Sequence, residues 1–248
     1  MKNLTIVIPA YNELDNFKAG KLQQVADYLK TNQLNWQVIV VDDGSTDGSN
    51  KTIKTWVKKH KNWQFIQNPH QGKASTVMTG VLKAKHSYIL FTDFDQATPL
   101  SEVDKLLPFL KKGYKIVIGS REVKGSIREK EPWYRHFMGK IFNFIVQLLT
   151  IRGIHDTQCG FKIFKTQIAQ ELFSSLKVYQ PKPEKYAFTG AFDVELLFLA
   201  NKKGYKIAEV PVHWFHAPTS RVHPLRDSFR MFSHVLKIRF THILGGYR

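Results

Sequence analysis

The sequence predicts an α/β fold: a Rossmann-like, mostly parallel sheet flanked by helices, with amphipathic helices toward the C-terminus. Three observations predict it. Short, nearly continuous apolar runs at 4–9 (LTIVIP), 36–43 (WQVIVVDD), 86–93 (HSYILFTD) and 115–120 (KIVIGS) have the length and composition of strands buried on both faces. Stretches 13–31, 48–61, 73–85 and 101–112, lying between or beside these runs, mix apolar and lysine-rich positions at helical spacing. The polar clusters fall just past the apolar runs, where an open α/β sheet binds ligands.

The second half is less regular. Residues 122–132 read as a charged loop and 133–151 as a helix. DTQCGFKIFK (156–165) reads as a turn into a short strand, 189–204 as a helix stopped by glycine, and 206–212 as a further strand. Residues 225–244 form a basic amphipathic helix. With 248 residues, 43% of them hydrophobic, and no repeat or clear linker, one domain over 1–248 is expected. The helices at 133–151 and 225–244 are expected at a membrane interface, because cations there interleave with aromatic and aliphatic residues. Neither supplies the roughly 20 apolar residues of a bilayer span, so the expected attachment is peripheral.

The formal charge of +17 favours anionic partners: nucleic acid, an anionic membrane surface or phosphorylated substrates. A single cysteine, Cys159, excludes an intramolecular disulfide and points to a reducing compartment, hence to the cytoplasmic face of a membrane. The N-terminus does not read as a signal peptide.

Three clusters carry the chemistry. Asp93-Phe94-Asp95 sets two carboxylates around one residue past a buried strand, an arrangement that holds a hard cation such as Mg2+ or Mn2+ against a diphosphate. A turn in which Asp95 caps the next helix would give the same pattern. Asp42-Asp43-Gly44-Ser45 offers carboxylates to a nucleobase or ribose, although Asp and Ser also make plain turns. Pro9-Ala10-Tyr11-Asn12-Glu13 follows the first strand and converges on the same edge. Lys73, opening a helix after Gly72, either approaches donor phosphates or is a solvated helix-start lysine. Arg121, Lys124, Arg128 and Arg135 precede or open an aromatic-rich helix, as suits a phosphate head group with a buried lipid tail. The histidines lack zinc-like spacing, and no Walker loop or nucleophile elbow occurs.

The series IVIPAYNE, VIVVDDGSTDGS, GKA, FTDFDQATP and IVIGSRE resembles family 2 glycosyltransferases of the GT-A fold. The later DTQCGFKIFK and AFDVELLFLANKKGYKIAEVPVHW resemble the branch acting on dolichyl and polyprenyl phosphates. The resemblance implies an inverting transfer of a hexose from a nucleotide sugar to a polyprenyl phosphate, with UDP-glucose favoured and GDP-mannose the alternative. It implies that Pro9, Tyr11, Glu13, Asp42 and Asp43 line the nucleoside pocket, with Ala10 and Asn12 in the same motif. Asp93 would sit near ribose or sugar and Asp95 on the metal. Arg121 and Arg135 would receive the acceptor phosphate, and Asp156, Gln158 and Cys159 would shape the sugar or acceptor side. Phe94 stands where the family usually carries a small residue; it either narrows the sugar pocket or faces the sheet.

Two rivals follow from the same residues. A basic nucleic-acid-binding protein would not explain acidic clusters at three strand ends, so no nucleic-acid partner is expected. A transferase with a soluble sugar or protein acceptor would need a carboxylate base, for which Asp193 and Glu195 are the candidates.

Overall fold

The computed structural model describes residues 3–32, 35–129, 133–183, 190–216 and 224–247, the side chains of 134–135 and 224–227 excepted. Seven strands form the central sheet: β1 (Asn3–Ala10), β2 (Asn35–Asp42), β3 (Trp63–Gln67), β4 (Tyr88–Thr92), β5 (Ile116–Ser120), β7 (Phe161–Lys165) and β8 (Ile207–Pro211). They lie in the order β3-β2-β1-β4-β7-β5-β8, with β7 antiparallel to both neighbours and every other pair parallel. A two-stranded parallel ribbon pairs β6 (Ile127–Glu129) with β9 (His213–Phe215).

Alternation along β1 explains the layers. Leu4, Ile6 and Ile8 belong to one core cluster and Val7 to the other, as period-two side chains must. The first cluster is closed by α2 (Lys21–Thr31), α3 (Ser49–Val57) and α5 (Val103–Lys111) through Leu22, Ile53 and Leu106. The second is closed by α4 (Lys73–Lys83), α6 (Trp133–Leu149), α7 (Thr166–Ser174), α8 (Phe192–Lys202) and α9 (Pro224–Ile243) through Val77, Val146, Leu172, Leu196 and Val235. Burial on both faces is why the strands read as continuous apolar runs.

The expected elements recur with identifiable differences. The helix expected at 13–31 breaks into α1 (Leu14–Lys18) and α2 at Gly20, whose φ of +77° is left-handed and ends the first helix. Edge strand β3 is half-buried and mixes polar with aromatic residues, so it carries no continuous apolar run. Strand β6 lies inside the stretch read as a charged loop, and α7 follows β7 without a break. No helix among the described residues is long and apolar enough to cross a membrane.

The order reverses between β1 and β4, since the chain first winds outward to β3 and then returns. That reversal makes a crevice at the carboxyl ends of β1, β2 and β4. The register aligns those ends, with Ala10 beside Asp42 and Asp42 beside Gln67.

Candidate active site

Buried Pro9 and Ala10 close β1, and the chain then turns through Asn12, whose φ is +53°. Asn12 bridges two loops: its N–H donates to Ser45 Oγ (2.9 Å) and its Oδ1 accepts from the Thr46 N–H (2.9 Å). The Glu13 carboxylate, 8% exposed, accepts from Asn16 Nδ2. Asn12 therefore serves the scaffold, a role its place in a polar cluster does not reveal.

Asp42 and Asp43 diverge in function despite being neighbours. Asp42 is fully buried at the end of β2, and its Oδ2 accepts from the Gly44 and Ser45 N–H groups, both at 3.1 Å. Its Oδ1 has no partner among the described residues. Burial raises its pKa, against the pull of those donors. Asp43 accepts from the Gln71 and Gly72 N–H groups (2.9 Å each) and from His70 Nδ1 (2.8 Å). It thereby builds the turn that opens α4 and presents Lys73. The His70 ring stacks on Tyr11 with centroids 4.2 Å apart and planes 8° apart, and its buried Nε2 has no partner among the described residues. A buried acceptor, an unmet ring nitrogen and a stacked aromatic pair, gathered where β1, β2 and β3 end, could receive a planar nucleobase. No sequence pattern marks His70; only the fold brings it from the loop after β3 onto Tyr11.

At the end of β4, Lys73 Nζ lies 2.5 Å from Asp93 Oδ1. Gly160 is packed against this carboxylate: a Cβ at position 160 would stand 2.1 Å from Asp93 Oδ2. Asp95 accepts from the Ala97 N–H (2.9 Å), and its pKa is raised to about 6 by burial first and by the Asp93 charge second. The intervening Gln96 has a φ of +52° and donates its amide to the Asp93 carbonyl. Of the two alternatives for Phe94, lining the sugar pocket or facing the sheet, the structure takes the second: it is 2% exposed and packed in the core with Leu100, Cys159 and Phe161. The turn after β4 points it inward while its two acidic neighbours stay partly accessible.

Asp93 and Asp95 present hard oxygen donors, the kind Mg2+ and Mn2+ take together with substrate phosphates. Among the described residues no set of three or more His, Cys, Asp or Glu side chains is gathered for a metal ion. Phosphate oxygens and water would have to complete any coordination shell built on this pair. The raised pKa of Asp95 marks a carboxylate short of positive charge, which fits such an ion.

On the other flank, Arg121 at the end of β5 donates to the fully buried Asp156 through its N–H (2.9 Å), Nε (2.7 Å) and Nη2 (2.9 Å). Burial alone would raise the Asp156 pKa; the guanidinium outweighs it and holds the carboxyl below the usual range. Asp156 also accepts from the Gln158 and Cys159 N–H groups, both at 3.1 Å. Arg121 lies 5.3 Å from the Trp214 ring centroid. The Gln158 Nε2 is buried without a partner among the described residues. Cys159, expected near substrate by motif, instead puts its thiol into the core at 1% exposure, where burial pushes its pKa up to about 11. The Arg135 side chain lies outside the described residues. The base candidates are otherwise engaged: Asp193 pairs with Lys162 Nζ (2.6 Å), and Glu195 accepts from the Lys177, Val178 and Tyr179 N–H groups.

Residues 5–173 match the model of glycosyl transferase family 2. A dolichyl-phosphate beta-glucosyltransferase of Dictyostelium discoideum is 32% identical over 99% of this chain and 76% of its own length. That of Homo sapiens is 32% identical over the whole chain and 78% of its own length. Among solved structures, glucosyl-3-phosphoglycerate synthase of Mycobacterium tuberculosis, in complex with Mn2+, UDP and glucosyl-3-phosphoglycerate, superposes with a TM-score of 0.66 at 15% identity, covering 96% of this chain and 80% of that one. A mannosyltransferase of Pyrobaculum calidifontis, in complex with GDP-Man and Mn2+, gives 0.59 at 19% identity, over 94% of this chain and 64% of that one. The sheet order, the strand-end carboxylates and these matches agree: the chain belongs to glycosyl transferase family 2 and is a glycosyltransferase of the GT-A fold.

Proposed function

We propose that the protein transfers glucose from UDP-glucose to a dolichyl or polyprenyl phosphate at a membrane surface, with inversion at the anomeric carbon. The observation that carries this reading is the convergence, at one sheet edge, of the Tyr11–His70–Asp42 slot with the Lys73, Asp93 and Asp95 cluster. The names of the full-length relatives supply the acceptor and the sugar. The Mn2+ complexes of the two structural neighbours support a divalent cation, Mg2+ or Mn2+.

In this reading the uracil lies against Tyr11, with Asp42 Oδ1 and His70 Nε2 meeting its polar edge. Asp95 and Asp93 hold the cation, which when bound neutralises charge on the departing diphosphate. Lys73 leaves Asp93 for the donor phosphates, a short move for a flexible ammonium at the start of α4. A phosphate acceptor is already ionised near neutrality, so no carboxylate base is required. That matches the engagement of Asp193 and Glu195 elsewhere. Arg121, its guanidinium fixed by Asp156, and Arg135 orient the acceptor phosphate.

The membrane reading rests on α6 and α9, which pack on one another. Trp133, Phe137, Ile141, Phe144 and Leu148 are all exposed on α6, and their spacing puts them on one face. Phe229, Phe240, Ile243 and Leu244 are exposed on or just past α9. Exposed Lys140, Lys237 and Arg239 accompany them, so an apolar strip edged by cations would meet an anionic bilayer without crossing it. The buried lone thiol suits the reducing, cytoplasmic side.

A donor screen tests the reading: UDP-glucose, GDP-mannose and UDP-GlcNAc, each with Mg2+ or Mn2+ and a short polyprenyl phosphate. Lipid-phosphate glucose from UDP-glucose alone is expected. Product from GDP-mannose alone would overturn the assignment of sugar and nucleotide.

A further inference from the structure

Lys162 is a lysine in the centre of a seven-stranded sheet. Its register partners are Phe91 on β4 and Ile118 on β5, and its side chain has no exposure to solvent. The ammonium lies 2.6 Å from Asp193 Oδ1 on α8, donates to the Cys159 carbonyl, and stands 5.3 Å from the Phe91 ring centroid. Such a pair is a poor device for stability, because well-packed apolar side chains in place of a buried ion pair are often neutral or stabilising. Its position has a consequence that stability does not require. The carbonyl that Lys162 holds belongs to the residue before Gly160, and Gly160 is the backbone against which Asp93 rests.

We propose that Lys162 is a positioning residue for the reaction centre. Clamped between Asp193 and the Cys159 carbonyl, it fixes the Cys159–Gly160 backbone, and that backbone fixes the Asp93 carboxylate where it meets Lys73. Only glycine allows the approach, since the 2.1 Å to a Cβ is far inside van der Waals contact. Two ammonium groups and two carboxylates then form one balanced cluster, with Lys73 and Asp93 facing the crevice and Lys162 and Asp193 buried behind them. The charge of Asp193 also reaches Lys73, in keeping with that compactness. When Lys73 turns to a phosphate, the buried pair stays in place and Asp93 keeps its orientation. This last step rests on the proposed transferase function; the positioning of Asp93 does not.

The test reads the free protein, with no donor or acceptor present. The rate at which an amine-specific acylating reagent labels Lys73 is measured by peptide mass spectrometry, with exposed Lys111 as internal reference. In the wild type, Lys73 should label slowly because Asp93 holds its ammonium. Two variants break the path at different points: Lys162→Met with Asp193→Leu, which removes the pair while keeping the volume apolar, and Gly160→Ala, which displaces Asp93 directly. Both should raise Lys73 labelling several-fold while Lys111 stays constant. Acceleration in only one of them, or in neither, overturns the proposal. Should the double variant fail to fold, Lys162→Gln replaces it, being too short to bridge both partners, and unchanged Lys73 labelling there counts against the proposal. A wild type that transfers no sugar yet shows this labelling pattern would refute the proposed function and leave the positioning role standing.

Discussion

Asp95 illustrates how environment, more than residue type, makes a site. Burial and the neighbouring Asp93 raise its pKa to about 6, so in the free enzyme it takes up a proton as the pH falls through that value. A cation needs the ionised form. The apparent affinity for Mn2+ should therefore be steady above about pH 7 and fall about tenfold per pH unit below pH 6; titration of Mn2+ by electron paramagnetic resonance reads this directly. A flat profile from pH 7 to 5 would separate the cation from Asp95. Cys159 gives the opposite case. Its thiol is buried and its pKa is pushed up to about 11, so thiol reagents near neutral pH, well below that value, should leave the folded protein unmodified and label it only after denaturation. Labelling of the native protein at the rate of a free thiol would contradict the burial.

At the scale of elements, α8 and α6 behave differently although both are rich in apolar residues. Helix α8 is buried on every side from Phe192 to Ala200, and Glu195 within it accepts three backbone N–H groups and the Tyr247 hydroxyl. Glu195→Ala strands those donors. With about 1–3 kcal/mol for each buried group left unpaired, it should lower the unfolding free energy by several kcal/mol, read by urea denaturation; a loss under about 1 kcal/mol would mean that water replaces the carboxylate. Helix α6 instead exposes its apolar strip. Phe137→Ser with Phe144→Ser should leave the melting temperature near the wild-type value and abolish co-flotation with anionic vesicles. Flotation at wild-type level would move the membrane contact elsewhere. The same two helices show what the sequence makes legible. The existence of both, and the amphipathic character of α6, follow from the sequence, but which apolar residues meet the core and which meet solvent is decided by packing against α9 and the sheet.

For the whole molecule, the doubly wound architecture and the converging strand ends were readable because strands buried on both faces write continuous apolar runs. The finer logic of the site was not. Phe94 lies in the turn past β4, and packing with Leu100, Cys159 and Phe161 decides between its two alternatives; His70 lies in a loop with no periodic signal, and only tertiary structure stacks it on Tyr11. Lys162 did leave a mark, a lysine inside the apolar run FKIFK, but its partners Asp193 and the Cys159 carbonyl come from other parts of the chain. Asp43 and Asn12 sit in acidic and polar clusters and serve as scaffold, bonding loops that the sequence cannot pair. The proposed function stands on transfer to a lipid phosphate through a cation held by Asp95. It is tested most directly by incubating wild type and Asp95→Ala with radiolabelled UDP-glucose, Mn2+ and a short polyprenyl phosphate, and measuring label in the organic phase. The wild type is expected to give a chelator-sensitive lipid-phosphate glucose product and the variant none; full Mn2+-dependent transfer by Asp95→Ala would contradict the proposed function.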